Sequence, residues 1–562
     1  MKNIEFALKE NIGSPELFTG RRLLMNNFIH WVSLIRKELG KSRALLSRRK
    51  KGKTVIMQRL YNIIWTQNDK VVPFFYEIKE RNMMLGDFAE DFLCSFLSQY
   101  YAFLTRDKLY IIQKLNISDL LQVFRDNKII VQLIHTFLGD KEALNYSAMW
   151  EAARTTPHAI ASLNDIQVLQ FIDEFQNINK YILDKDKEPI ITLAGSYLAT
   201  AESKCAPMLV TGSYIGWLRR IIWELLPARF NEVFLANLEP SEGFDMILKY
   251  AQFYNIPVNK QTAEYILGLT QGDPYYISIL FEGTYFGEKD FTDEKNINDV
   301  YEHEITKGNI KGTWLEYLHK AFSEVNDLNA KRMVLYLFSA NGEERTREQI
   351  MTDLKFDMTD SELEKKLKAL VYSDIISQGE SNFDYKVAYD KIYELVFRNI
   401  YQKEIDKTVE DVNKTLKSLI GKFSYDIAYF YKYQFEKMLS KGFKLSDVSY
   451  NGDSRLIVAK GDILRNCLVN DTRIRNMQVD FFCRTKDSFE VYVEINNQAG
   501  RTSKKDTANL IKLKNQYDGE NRKTVFIHFS MNGYYRETEA ELAENGVFYT
   551  DEAKFSVVAK KV

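Results

Sequence analysis

Over the first 240 residues, short apolar runs alternate with longer stretches of helical spacing. Arg43-Ala44-Leu45-Leu46 reads as a short strand, and Val55 to Ile64 follows with apolar residues at helical intervals. The run 166-IQVLQFIDEFQ-176 reads as a buried strand ending in Asp173-Glu174. A further strand in 207-PMLVTGSYIGW-217 ends in Thr211-Gly212-Ser213. In 227-PARFNEVFLANL-238 a helix ends and a fifth strand begins. Buried strands separated by helices predict an α/β fold around a parallel sheet, over residues 1–238.

Residues 239–312 alternate helical patterns with short polar turns, as a small helical lid would. Helices are predicted over Ala330–Ala340 and Thr346–Leu354. The box Thr359-Asp360-Ser361-Glu362 starts a third, in which Leu363, Leu367, Leu370 and Val371 face inward. The stretch 375-IISQGESNFDYKVAY-389 then reads as a hairpin. Helix-turn-helix plus hairpin predicts a winged helix over 313–400. Lys365, Lys366 and Lys368 of its third helix are candidates for DNA contact, but Glu362 and Glu364 on the same helix keep its surface from being strongly basic. A spacer or protein-contact role is the alternative. A charged helical linker is expected over 401–423. In 424–562 the pattern becomes a helix to Lys441, strands at 477–485, 489–496, 524–530 and 546–550, and helices near 503–517 and 535–544.

The length of 562 residues exceeds what one hydrophobic core serves, and two to four domains are expected. Lys plus Arg number 76 against 77 Asp plus Glu, so net charge does not point to or away from nucleic acid. Neither C-x-x-C spacing nor a zinc-type Cys/His cluster occurs among the four cysteines, which suits buried thiols in a reducing compartment. No apolar run reaches the ~18 residues of a membrane helix, and the N-terminal stretch carries acids where a signal peptide is apolar. A cytoplasmic protein without a membrane partner is expected. The 33 Tyr and 36 Phe argue for filled cores rather than disorder.

The candidate chemistry lies between the first strand and the helix after it, in 47-SRRKKGKT-54. A phosphate-binding loop needs an entering strand, backbone N–H groups facing the phosphates, and a helix with its positive end on the same phosphates. Ser47 stands in the first glycine position of that motif. Gly52 keeps the place beside the lysine, Lys53 would reach the β- and γ-phosphates of ATP, and the Thr54 hydroxyl would bind Mg²⁺. Arg48, Arg49, Lys50 and Lys51 add positive charge. A basic turn carrying G-K-T by chance is the alternative. Asp173 suits the acid that holds Mg²⁺ through water, and Glu174 the carboxylate that orients or deprotonates the attacking water. Ser213 is placed to sense the γ-phosphate, and Arg229 to act as an arginine finger in cis or in trans.

With these residues in order, the chain resembles the AAA-like, STAND-related ATPases described mainly from archaea and also found in bacteria. The F-x-G-R element is Phe18-Thr19-Gly20-Arg21, the loop is Leu45 to Thr54, and the acid pair is Asp173-Glu174. The G-R-F element is Ala228-Arg229-Phe230, and the lid's G-x-P-Y-Y is Gly272-Asp273-Pro274-Tyr275-Tyr276. The resemblance implies that Gly20, Arg21 and Pro274 lie near the nucleotide base, and that Ser47, Arg49, Lys51, Gly52, Lys53 and Thr54 surround the phosphates. Three departures stand out: Ser47 and Ala228 replace glycines, and Arg22 replaces an acid.

This family often carries a C-terminal PD-(D/E)xK nuclease fold, and the helix and strand order over 424–562 is similar to one. Asp480 and Glu494 match the D…E-x-K spacing, and Glu436 on the preceding helix is a candidate third acid for Mg²⁺. Asn496 stands where lysine belongs, so Lys504 or Lys505 would have to reach back; Gln498 suits some active members. Two functions follow. One is an ATPase that couples nucleotide state to a DNA-related activity such as Mg²⁺-dependent cleavage. The other is a nucleotide-dependent switch or scaffold with an inactive nuclease fold, partnered by DNA, by another protein or by itself.

Overall fold

The computed structural model describes the chain except for residues 1–3, 214, 323–327, 341–342, 380, 382, 388–389, 407–426, 452–456, 459–460, 472–473, 486–488, 497–500, 518–522, 531–532, 552–553 and 556–562. Gln498 and most of the expected linker fall outside the described residues. The chain divides into two compact units. The first comprises Met1–Asn237, Pro274–Gly287 and Asp299–Ile420, and the second Leu238–Asp273, Glu288–Asn298 and Gly421–Val562.

The first unit is built on five strands: β1 (Arg43–Leu46), β2 (Val71–Glu77), β3 (Gln167–Asp173), β4 (Met208–Thr211) and β5 (Asn231–Phe234). They lie in the order β2-β3-β4-β1-β5, and every neighbouring pair is parallel. Helices cover the faces of such a sheet, which is why its inner strands read as continuous apolar runs. All seven residues of β3 and all four of β4 are buried. Pro73 cannot donate to a ladder, and it sits in β2, an edge strand, where the missing N–H is tolerated. Phe74 of β2 meets Phe92 and Phe96 of the helix Leu85–Thr105 edge-on, with centroids 5.2 and 5.1 Å apart.

Two features position the site. Helix α1 (Lys53–Gln67) starts directly after the loop that leaves β1. Strand β4 lies between β1 and β3, so the loop after β1 and the acid closing β3 open onto the same carboxyl edge of the sheet. This is a P-loop NTPase fold with an ASCE-type parallel sheet.

Later in the same unit come α2 (Ile215–Leu225), α3 (Pro274–Glu282), α4 (Asn309–Phe322), and the helices Leu328–Ser339 and Arg347–Asp353. They are followed by α5 (Asp360–Tyr372) and the helix Lys391–Asp406. Capping boxes pair Thr346 with Gln349 and Thr359 with Glu362. In α5, Leu363, Leu367 and Leu370 are buried and Val371 is half-buried. The short strands Arg345–Thr346, Asp384–Lys386 and Ser377–Gln378 form an antiparallel sheet beside these helices. Lys368 pairs with Glu364 at 2.8 Å, and Arg347 pairs with Glu364 at 2.9 Å, so the polar face of α5 carries compensated charge.

The second unit holds a mixed sheet of β6 (Gly461–Asp471), β7 (Ile474–Thr485), β8 (Phe489–Asn496), β9 (Lys523–Ser530) and β10 (Phe548–Asp551). Strands β6, β7 and β8 form an antiparallel meander, and β8, β9 and β10 run parallel. The helices Lys504–Tyr517 and Arg536–Glu544 make the crossovers that parallel pairing requires. Phe435, Met438 and Leu439 pack on one sheet face with Val493, Ile527 and Phe529, while Leu510, Leu513 and Leu542 fill the other with Tyr492 and Phe526. Strand β6 has no counterpart in the sequence reading, because Arg465, Asn466, Asn470 and Asp471 interrupt its apolar pattern. Among the described residues no helix is long and apolar enough to cross a membrane.

Candidate active site

The loop between β1 and α1 is shaped by two left-handed residues, Lys50 at φ 68° and Gly52 at φ 88°. At Gly52 no atom lies within 4 Å of where a Cβ would stand, so it is the positive φ, not crowding within the protein, that calls for glycine. Ser47 has no positive φ, and its backbone therefore accepts the side chain that replaces the motif's first glycine. Lys53 is buried, and its Nζ donates to the carbonyl of Ser47 at 2.7 Å and to that of Arg48 at 3.0 Å. Burial pushes its pKa down to about 8, against the opposing charges of Glu174, Asp173 and Asp374.

The two halves of the motif meet directly. Thr54 Oγ1 donates to Asp173 Oδ2 at 2.6 Å, and Thr211 Oγ1 donates to Asp173 Oδ1. Burial raises the Asp173 pKa, and these two hydroxyl bonds oppose that shift. A threonine hydroxyl and a carboxylate in contact are hard oxygen donors of the kind Mg²⁺ takes, so the residues present fit that ion. Glu174 adopts a left-handed φ of 54°, uncommon for a residue with a Cβ. That turn brings its carboxylate to Ser213, whose N–H donates to Oε2 at 3.2 Å and whose hydroxyl donates to Oε1. Gln176 Nε2 donates to the same carboxylate at 2.5 Å. Lys53, Thr54, Asp173, Glu174 and Ser213 thus form one connected cluster.

The other expected nucleotide residues are held nearby or elsewhere. Gly20 and Arg21 are both left-handed, and Arg21 NH1 donates to the carbonyls of Ala236 at 2.6 Å and Asn237 at 3.2 Å. Lys51 Nζ donates to Asn237 Oδ1. Arg49 pairs with Glu316 at 3.0 Å, and Pro274 opens α3. Arg229 donates to the carbonyls of Leu198 at 3.2 Å and Pro227 at 3.1 Å and pairs with Glu202 at 3.1 Å, so its contacts lie apart from the Lys53 cluster. Ala228 has φ 60°, which explains why glycine suits that position in the motif.

Residues far along the chain complete the site. Arg48 pairs with Asp390, and its guanidinium lies 4.8 Å from the Trp314 ring centroid and 6.0 Å from that of Tyr276. Tyr276 OH donates to Asp390 Oδ2 at 3.0 Å, and Trp314 Nε1 donates to Tyr276 OH at 3.0 Å. Burial would raise the Asp390 carboxyl, but the charges of Arg48 and Lys51 hold it below the usual range. Asp374 accepts from the N–H groups of Ile215 and Gly216, the latter at 2.7 Å, at the start of α2. Tyr276 belongs to the sequence motif, and the spacing of Trp314, Asp374 and Asp390 carries no signal that would have found them.

No protein-family model matches the chain, and no curated protein does. Among solved structures it is similar to the Walker-type ATPase paby2304 of Pyrococcus abyssi, at 15% identity over 70% of this chain and 99% of that one, with a TM-score of 0.48. It is also similar to the Aeropyrum pernix ORC2 protein in its ADP form, at 12% identity over 71% and 98% of the two chains, with a TM-score of 0.37. A third is the Thermotoga maritima RuvB Holliday junction branch migration motor, at 12% identity over 69% and 98%, with a TM-score of 0.32. At such distances the side-chain geometry above carries the functional reading.

In the second unit, Asp480 of β7 and Glu494 of β8 each stand one residue beyond the paired Phe481 and Val493. Asp480 Oδ2 accepts from the Ile495 N–H at 2.7 Å, while Glu494 Oε2 has no hydrogen-bond partner among the described residues. Burial, then the charges of Asp480 and Asp506, push Glu494 up to about 7. Glu436 accepts from the Ser241 N–H at 3.3 Å. Among the described residues no three Asp, Glu, His or Cys side chains are grouped to hold a metal ion, so Glu436 is not brought together with the other two acids in that way. Asn496 Nδ2 donates to Thr502 Oγ1 at 3.2 Å, and Lys504 Nζ lies 4.0 Å from Glu541.

Proposed function

We propose that the first unit binds and hydrolyses ATP, and that the chain belongs with the AAA-like, STAND-related ATPases it resembles. The observation that carries this is the contact of Thr54 with Asp173 at 2.6 Å, beside buried Lys53 and the Glu174–Ser213 pair. Amides of the loop and the N-terminus of α1 would cradle the phosphates. Lys53 would exchange its two carbonyl partners for β- and γ-phosphate oxygens. Thr54 and, through water, Asp173 would hold Mg²⁺, which supplies charge neutralisation at the β- and γ-phosphates. Glu174, oriented by Ser213, would align water for in-line attack and accept its proton.

The second unit is assigned the nucleotide-controlled output. A DNA-related activity, including Mg²⁺-dependent cleavage at Asp480 and Glu494, is one reading, supported by the buried Glu494 oxygen that has no hydrogen-bond partner among the described residues and by the charge of Asp480 acting on that carboxyl. A switch with an inactive nuclease fold, binding DNA or a protein, is the other. It is supported by Asn496, which carries no charge and is bonded to Thr502.

The deciding experiment pairs two assays on the full chain. Mg²⁺-dependent ATP turnover is expected in the wild type and absent in Lys53→Ala; equal turnover in both would remove the P-loop assignment. Cleavage of supercoiled DNA that vanishes in Glu494→Ala would establish the nuclease. No cleavage with Mg²⁺ or Mn²⁺, with or without ATP, would leave the switch.

A further inference from the structure

Trp150, Arg154, His158 and Ser162 run down one face of the helix Tyr146–Leu163, and each reaches the segment that leads into β4. Trp150 Nε1 donates to Ser196 Oγ at 2.9 Å, and buried Arg154 donates to Thr200 Oγ1 at 2.8 Å. These two rungs end on hydroxyls. The next two converge on a thiol: His158 Nδ1 lies 3.2 Å from Cys205 Sγ, and Ser162 Oγ lies 3.3 Å from it. Ser203 joins them, with its Oγ 2.8 Å from His158 Nδ1 and 3.4 Å from Cys205 Sγ.

The thiol is both fixed and accessible. Ser203 Oγ accepts from the Ala206 N–H at 3.0 Å, and the Cys205 carbonyl accepts from the Val168 N–H at 2.8 Å, which ties the loop to β3. His158 and Ser162 are exposed, and Cys205 is half-buried. The buried thiol expected from the sequence is found instead at Cys94, which burial pushes up to about 12. The chain thus carries an inert thiol for comparison. A row of anchors needs only a hydroxyl at its end, as the first two rungs show. A thiol is a weak hydrogen-bond partner, and what it adds beside an imidazole is nucleophilicity.

We propose that Cys205 is a covalent modification site for small disulfides, with His158 as its base. His158 Nδ1 takes the thiol proton as Sγ attacks one sulfur of the disulfide. The Sγ–S bond forms as the reagent's S–S bond breaks. The leaving thiolate departs with the bonding electron pair and picks up the proton. Cys205 is oxidised to a mixed disulfide, and the other half of the reagent is reduced to a free thiol. The Ser162 and Ser203 hydroxyls donate to the thiolate before it attacks. Cys205 precedes β4 at the amino edge of the sheet, and the Lys53 cluster lies at the carboxyl edge, so the site does not depend on the nucleotide reading.

The test treats the full chain with dipyridyl disulfide, a neutral reagent, and follows adduct formation at each cysteine by peptide mass spectrometry. An unassisted thiol is only a few per cent thiolate at pH 7. There Cys205 is expected to react faster than Cys94, and at least about fivefold faster in the folded chain than in the chain unfolded by urea. His158→Gln should slow Cys205 by at least about tenfold at pH 7 and far less at about pH 9.5, where an ordinary thiol ionises unaided. No slowing, or equal slowing at both pH values, would make His158 an anchor only and overturn its role as base. A Cys205 rate in the folded wild type no greater than in the unfolded chain would overturn the site itself, whether or not the variant folds.

Discussion

Thr54 and Asp173, from opposite halves of the nucleotide motif, are joined by a single 2.6 Å hydrogen bond from Oγ1 to Oδ2. The bond exists because β4 spaces β1 from β3 by one strand, bringing the start of α1 over the end of β3. Thr54→Val keeps the shape and removes the oxygen. It should lower ATP turnover by at least about a hundredfold and raise the Mg²⁺ concentration required, as measured by phosphate release across a Mg²⁺ titration. Turnover within a few-fold of wild type would separate Thr54 from the reaction.

Glu174 should divide binding from chemistry. Its left-handed backbone and its bonds to Ser213 hold the carboxylate in place. Glu174→Gln preserves those bonds in part but cannot take a proton. Turnover is expected to fall by about 10²–10⁴, with nucleotide affinity nearly unchanged. Ser213→Ala should cost less, since Gln176 still supports the carboxylate. Equal losses of affinity and turnover in Glu174→Gln would point to a structural role.

The Arg48–Asp390 pair should matter for folding. Asp390 is buried against Tyr276, and the Arg48 side chain is mostly buried with its guanidinium 4.8 Å from the Trp314 ring centroid. Arg48→Met leaves a buried carboxylate without its cation and should destabilise the first unit by about 3 kcal/mol, read from chemical denaturation. The double variant Arg48→Met/Asp390→Leu should recover part of that loss. No difference between the single and double variants would show that the two side chains are not coupled.

Asp374 makes stability depend on pH. Burial raises its carboxyl to about 7, despite the helix amides and the Lys53 charge. In the unfolded chain it ionises near the ordinary value of about 4. Between these values the folded state binds the extra proton, so the Asp374 contribution to stability declines as pH rises from about 4 to 7 and is level above that. Thermal melts at pH 5 and pH 8 should show a smaller difference in Asp374→Asn than in wild type. An equal or larger difference in the variant would assign the pH dependence to other groups, Glu494 among them.

Much of this protein was legible without coordinates because its signals are local. Strand β1 follows the apolar run Arg43–Leu46 residue for residue, and Asp173 closes β3 because a buried strand must end where charge begins. The capping boxes at Thr346 and Thr359 start their helices through contacts only three residues apart. The nucleotide motif is likewise a short-range pattern, since loop conformation and helix start are set within a few residues of Gly52. Strand β6 escaped notice because its polar residues break the apolar pattern, and only pairing along β7 makes it a strand. The partners of Arg48 and the carboxylate at the start of α2 were decided by tertiary structure alone. A mostly buried arginine must find an anion and a helix N-terminus draws one, but the sequence states only these needs; the contacts of Asp390 with Arg48 and Tyr276, and of Asp374 with the start of α2, exist only in the folded chain.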